Sequence, residues 1–148
     1  MNPLDILKDE HEQVELELLE LEEVMNGDVI NYPNLIHTFK GFCNLWNRHE
    51  NKEEKAFTVF DKENIKVPVE KMTCEHRDLR GHIKKVVDAL KSGSEEKVRD
   101  SFEEIVALIE KVRKHKKDED EVLYTIAEDE FSKGEWDEIE KALADAQL

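Results

Sequence analysis

Four successive segments of this chain place inward-type side chains at alternating intervals of three and four residues. That spacing fits helices packed along one seam; strands would repeat every two residues and a loop would hold no register. The first seam reads Leu4, Leu7, His11, Val14, Leu18, Leu21, Met25. The second reads Leu35, Phe39, Phe42, Trp46, His49, Glu53, Ala56, Phe60, and the third Val69, Met72, His76, Leu79, Ile83, Val86, Leu90. In the fourth it runs Ile105, Leu108, Val112, His115, Glu119, Val122, Ile126, straight through the charged stretch "KHKKDEDE". That stretch is therefore expected to be helical, with His115 and Glu119 pointing inward and its other charges on a solvated face.

Clusters of turn-forming residues separate the segments, at Asn26 to Asp28, Asn64 to Pro68, Ser92 to Ser94 and Ser132 to Gly134. Asn2 and Pro3 read as a cap followed by proline in the first turn, Pro33 and Pro68 sit near the next two starts, and Ser94 with Glu96 and Lys97 opens the fourth segment. The expected fold is all-α: an up-and-down four-helix bundle over residues 1–131, then a short fifth helix within 132–148. Trp136, Ile139 and Leu143, at three-four spacing, are expected to pack that helix back on the bundle. Only five Gly and three Pro among 148 residues, with 40% charged, agree with this.

The polar seam positions narrow the function. Of six histidines, His11, His49, His76 and His115 lie on seams, one per helix, while His37 and His82 lie off them. With helices alternating in direction and about 1.5 Å per residue, all four, together with Glu53 and Glu119, fall roughly 12 to 20 Å from one end of the bundle. They converge on one layer. Two buried carboxylates cost several kcal/mol each unless something cationic accompanies them. Either protonated histidines pair with the glutamates, or metal ions are bound by imidazole and carboxylate, a donor set that suits iron, zinc or manganese.

Other classes recede. A net charge of -15 argues against nucleic acid or an anionic membrane as partner. Without a long apolar run or a basic-then-apolar start, a cytoplasmic protein is expected. Cys43 and Cys74 lack the paired short spacing of a zinc framework and are expected to be buried or half-buried thiols, too far apart to bridge. There is no Gly-rich phosphate loop, paired nucleophile and base, or nicotinamide or flavin fingerprint.

The stretches "DEHEQV", "RHENKEE", "EHRDLRGHI" and "HKKDEDEVLY", in that order and one per helix, resemble the hemerythrin-like, HHE cation-binding domain over about residues 4 to 129. The resemblance implies a non-haem di-iron site, with His11, His49, His76 and His115 as terminal ligands and Glu53 and Glu119 as bridges. One departure stands out: respiratory hemerythrins carry a second histidine four residues after that of the third helix, where this chain has Arg80. Water, or a carboxylate among Glu12, Glu15, Glu50 and Asp120, would fill the gap. Respiratory proteins space the fourth-helix carboxylate five residues after its histidine, which is Asp120 here, but four residues is nearer a whole turn and favours Glu119. The family uses such sites to transport or sense oxygen, to sense iron, and in redox or stress chemistry. Three functions are thus expected to compete: a di-iron protein that binds, senses or reacts with oxygen, nitric oxide or peroxide; a di-iron peroxidase or oxidase; and a metal-free bundle of His–Glu pairs.

Overall fold

In the computed structural model, which describes residues 3–27, 29–62, 68–130 and 133–146, each seam becomes the buried stripe of a helix. Helices α1 (Leu4–Met25), α2 (Tyr32–Lys62) and α3 (Val69–Lys91) match the first three segments. The fourth is one long rod in pieces: α4 (Glu95–Asp100), α5 (Phe102–Asp118), a π-helical turn (Glu119–Leu123) and α6 (Tyr124–Glu130). The last helix is α7 (Lys133–Ala146). No strand occurs among the described residues, and no helix is long and apolar enough to cross a membrane.

Local chemistry sets the boundaries. Ser94 caps α4, its hydroxyl accepting the Lys97 backbone N–H at 3.3 Å. Gly93 just before it adopts φ +72°, a conformation that costs glycine nothing. Pro68 stands at the N-cap of α3 and Pro3 at that of α1. The expected cap residue Asn2 lies outside the described residues, as do the turn residues Asp28, Asn64 to Val67 and Ser132.

Helix α1 packs on α2, α2 on α3, α3 on α5, and α5 on α1, closing the four sides of a bundle. Helix α7 lies against α2 and buries Ile139 and Leu143. The apolar interior divides in two. One cluster, around Leu18, Phe42, Trp46, Val86 and Leu108, fills the half that holds the α1–α2 turn. The other, around Leu4, Leu7, Phe60, Met72, Leu123, Tyr124 and Ile139, fills the opposite half. Between them, by their place in the sequence, sit the histidines and glutamates of the seams.

Two expectations about the fourth segment are corrected. Beyond Glu119 the buried residues are Leu123, Tyr124 and Ala127, whereas Val122 is 45% exposed and Ile126 only half-buried. The cause is the π-helical turn, whose wider i→i+5 loop inserts one extra residue and advances the stripe by one position. The charged stretch is also less uniformly solvated than expected. Lys116 is buried, with its ammonium donating to the His11 backbone oxygen at 3.3 Å and to Glu15 at 3.0 Å while its alkyl stem lines the bundle. Cys74 is exposed, not buried; Cys43 is half-buried, and both are free thiols.

Candidate metal centre

All six seam residues meet. His49, Glu53, His76 and Glu119 are fully buried, and His11 and His115 nearly so. The imidazoles form two pairs, His11 with His49 at 4.6 Å between ring centroids and His76 with His115 at 4.7 Å. Glu53 spans them: its Oε2 lies 3.3 Å from His49 Nε2 and its Oε1 2.9 Å from His76 Nε2. Glu119 does the same with one oxygen, Oε1, at 3.2 Å from His11 Nε2 and 3.1 Å from His115 Nε2. Two donor sets result, His11–His49–Glu53–Glu119 and His76–His115–Glu53–Glu119, each with its atoms within 4.8 Å of one another. Both share the two carboxylates.

The outer ring nitrogens reveal a pattern the seams did not disclose. His49 Nδ1–H donates to Glu10 at 3.0 Å, His115 Nδ1–H to Glu75 at 3.0 Å, and His11 Nδ1–H to Asp120 at 2.9 Å. Three of the four rods thus orient the histidine of a neighbour: α1 serves α2, α3 serves α5, and the π-helical turn serves α1. The fourth member by position is Glu50 of α2, beside His76 of α3. In α1 and α3 the carboxylate directly precedes the inward residue, and in the helices of opposite direction it directly follows, as Glu50 follows His49 and Asp120 follows Glu119. Reversing a helix turns "before" into "after", so all four lean the same way around the bundle, each toward the next helix. The adjacent acidic residues were the available signal, and they take meaning only once helix directions are set.

Tyr124 is the other residue the sequence reading passed over. It is fully buried, its hydroxyl donates to Glu53 Oε2, and its ring stacks on His11 at 5.6 Å. The π-helical turn brings it inward, and nothing in "DEDEVLY" marks that turn.

Of the residues weighed to replace the histidine missing at Arg80, Glu12 is exposed, Glu15 binds Arg113 and Lys116, and Asp120 serves His11 from outside. Glu50 alone is buried, and it forms an ion pair with Arg80 at 2.5 Å. Off the seams, His37 is exposed and His82 half-buried against Glu104, away from the layer.

The electrostatics call for positive charge, from protons or from metal. Burial pushes the imidazoles toward neutrality, yet surrounding carboxylates override it: His11 is raised well above its ordinary value by Asp120, Glu119 and Glu53, and His115 is raised to about 11, chiefly by Glu119. His49 and His76 shift the same way. Burial would also raise Glu53, but His49 and its other partners hold it well below the usual carboxylate range, while burial and the Glu53 charge push Glu119 up.

Hydrogen bonding leaves the centre of the layer unfilled. Nδ1–H of His11 and of His49 is given to a carboxylate, so once the rings lose their second proton each Nε2 carries a lone pair, and these two nitrogens face each other 3.0 Å apart. His115 Nε2, both Glu119 oxygens and Trp46 Nε1 have no hydrogen-bond partner. Converging lone pairs on neutral imidazole and carboxylate, about 3 Å apart, are what a first-row ion with bonds of about 2.0 to 2.2 Å gathers, so the residues present fit metal binding. The layer could hold metal cations.

The family model for the hemerythrin HHE cation-binding domain matches residues 2–127. Neither the curated proteins nor the solved structures compared provide a match.

Proposed function

The chain belongs to the hemerythrin HHE cation-binding family, and from that premise we propose that its buried layer is a non-haem di-iron centre that binds, senses or reacts with a small ligand such as oxygen, nitric oxide or peroxide. The observation that carries this is the pair of opposed Nε2 atoms of His11 and His49, with Glu53 and Glu119 reaching both halves of the layer. His11 and His49 would hold one ion and His76 and His115 the other, with the two carboxylates shared. Zinc or manganese suits the same donors. A bound iron pair would supply redox-active metal with coordination positions left for the ligand.

The chain's own residues support that chemistry. Carboxylates on the outer ring nitrogens fix three imidazoles with Nε2 inward. Tyr124 holds the Oε2 side of Glu53 and has the only hydroxyl against that carboxylate among the described contacts. Apolar clusters on both sides keep bulk water from the layer. The two free thiols suit a reducing compartment, and we place the protein in the cytoplasm.

The test is the metal content of protein purified without added metal. Two iron ions per chain are expected, one of them lost on His115→Ala; a preparation that neither retains nor takes up metal would sink the reading. Turnover of peroxide with an added reductant then separates an enzyme from a stoichiometric binder.

A further inference from the structure

Around the layer, three outer nitrogens have their carboxylate and one does not. His76 Nδ1 is fully buried and has no hydrogen bond. The two carboxylates beside it stand back, Glu54 at 3.5 Å and Glu50 at 4.0 Å. Arg80, one turn beyond His76 on α3, engages both, reaching Glu50 at 2.5 Å and Glu54 at 3.3 Å. Glu50 is the residue that the before-and-after rule assigns to His76, so the guanidinium has taken the partner that position would otherwise supply.

We propose that Arg80 is a positioning residue that leaves His76 unsupported and thereby makes the ion of the His76–His115 half the exchangeable one of the pair. The inference rests on the di-metal reading. A carboxylate on the outer N–H fixes the ring and raises the basicity of the inner nitrogen, and losing such a partner costs about 10–100-fold in metal affinity. As available metal falls, the His76–His115 half empties first, and the protein passes through a form with one ion held by His11 and His49. A centre of this kind grades its response to metal supply.

The experiment uses the full chain loaded with zinc and mixed with excess chelating indicator. Wild type should release its two ions in two phases of equal amplitude, about tenfold or more apart in rate. Arg80→Gln frees Glu50 and Glu54 for His76, so the fast phase should slow about tenfold while the slow phase stays put. Adding Glu50→Gln and Glu54→Gln to that variant should restore the fast phase; in the wild-type background the same pair should change little, because neither carboxylate serves His76 there. Asp120→Asn, which strips His11, should hasten the slow phase and so assign it.

Ring N–H resonances of the zinc form give a readout that a change of charge would not move. Wild type should show three histidine N–H protons shifted downfield by carboxylates, and Arg80→Gln four. A single release phase in wild type, or equal slowing of both phases in Arg80→Gln, overturns the proposal. If wild type takes up no zinc, the di-metal reading falls, and this inference with it.

Discussion

At the scale of single residues, Glu119 and Asp120 divide the work that the sequence left between them. Glu119 is inside, touching both histidine pairs, and Asp120, 42% exposed at its side chain, stands behind His11. Glu119→Gln should therefore lower occupancy of both ions together, whereas Asp120→Asn should weaken one by about 10–100-fold, as metal content during chelator titration would register. Without metal, Glu119→Gln should melt no lower than wild type, since it removes a buried carboxylate whose oxygens lack hydrogen bonds. Were Asp120→Asn to strip both ions while Glu119→Gln kept them, the bridging role would belong to Asp120. Tyr124→Phe removes the one phenol on Glu53 and should cost the metal-free protein roughly 2 kcal/mol in denaturant unfolding. The inward histidines were legible because a polar side chain on an apolar stripe stands out. Glu10 and Glu75 were not, because in one dimension they look like any solvated acid beside a histidine, and Asp120, weighed as a ligand, was not read as the support of His11.

At the scale of elements, periodicity put every seam residue of α2 and α3 inside, passing over only Thr38, Glu50, Phe57 and Val59 of α2, and lost its register at one place, the π-helical turn. Regular three-four spacing extrapolates through Glu119 to Val122 and Ile126; one inserted residue sends the chain to Leu123, Tyr124 and Ala127 instead. A π turn replaces well-aligned hydrogen bonds with poorer ones, so tertiary demand selects it and local propensity gives no warning. Here the demand is visible: Glu119 must reach inward, Asp120 must reach His11, and Tyr124 must reach Glu53. Deleting the exposed residue Glu121 should let the rod close into regular α-helix, with Leu123, Tyr124 and Ala127 still inward at three, four and seven positions after Glu119. We expect this deletion to melt at or above the wild-type temperature without metal, yet to lose the Asp120–His11 contact and retain less metal. Thermal melts and metal analysis would check it; full retention would show that the turn is no part of the centre.

At the scale of the whole molecule, protons and metal ions compete for the same layer. The four seam histidines titrate above their ordinary value in the metal-free fold, His115 at about 11 against 6.5. Between those limits the folded chain holds more protons than the unfolded one. The stabilisation is complete below about pH 6.5 and drains away as pH rises through the folded values. Glu53, held low, works in the opposite sense and is lost only in acid. The melting temperature of metal-free protein should fall from pH 6.5 toward 10, and the increment from added zinc should grow over that span, because the ligands bind metal deprotonated. A flat metal-free profile there would mean that the imidazoles are neutral. The division of the interior adds a different consequence. Two apolar clusters separated by a charged waist are two half-cores, each closed by its own parts of the same four helices. Emptied of metal, the waist is joined by His–Glu pairs, with both Glu119 oxygens lacking a hydrogen bond, and lends less cohesion between them. Loaded, six side chains from all four helices converge on shared ions, and opening one half strains the other. Unfolding should then be a single cooperative event with metal and two separable ones without it: native-state hydrogen exchange should resolve two groups of amides, one around Leu18 and Leu108 and one around Leu7 and Leu123, that merge when the ions are added.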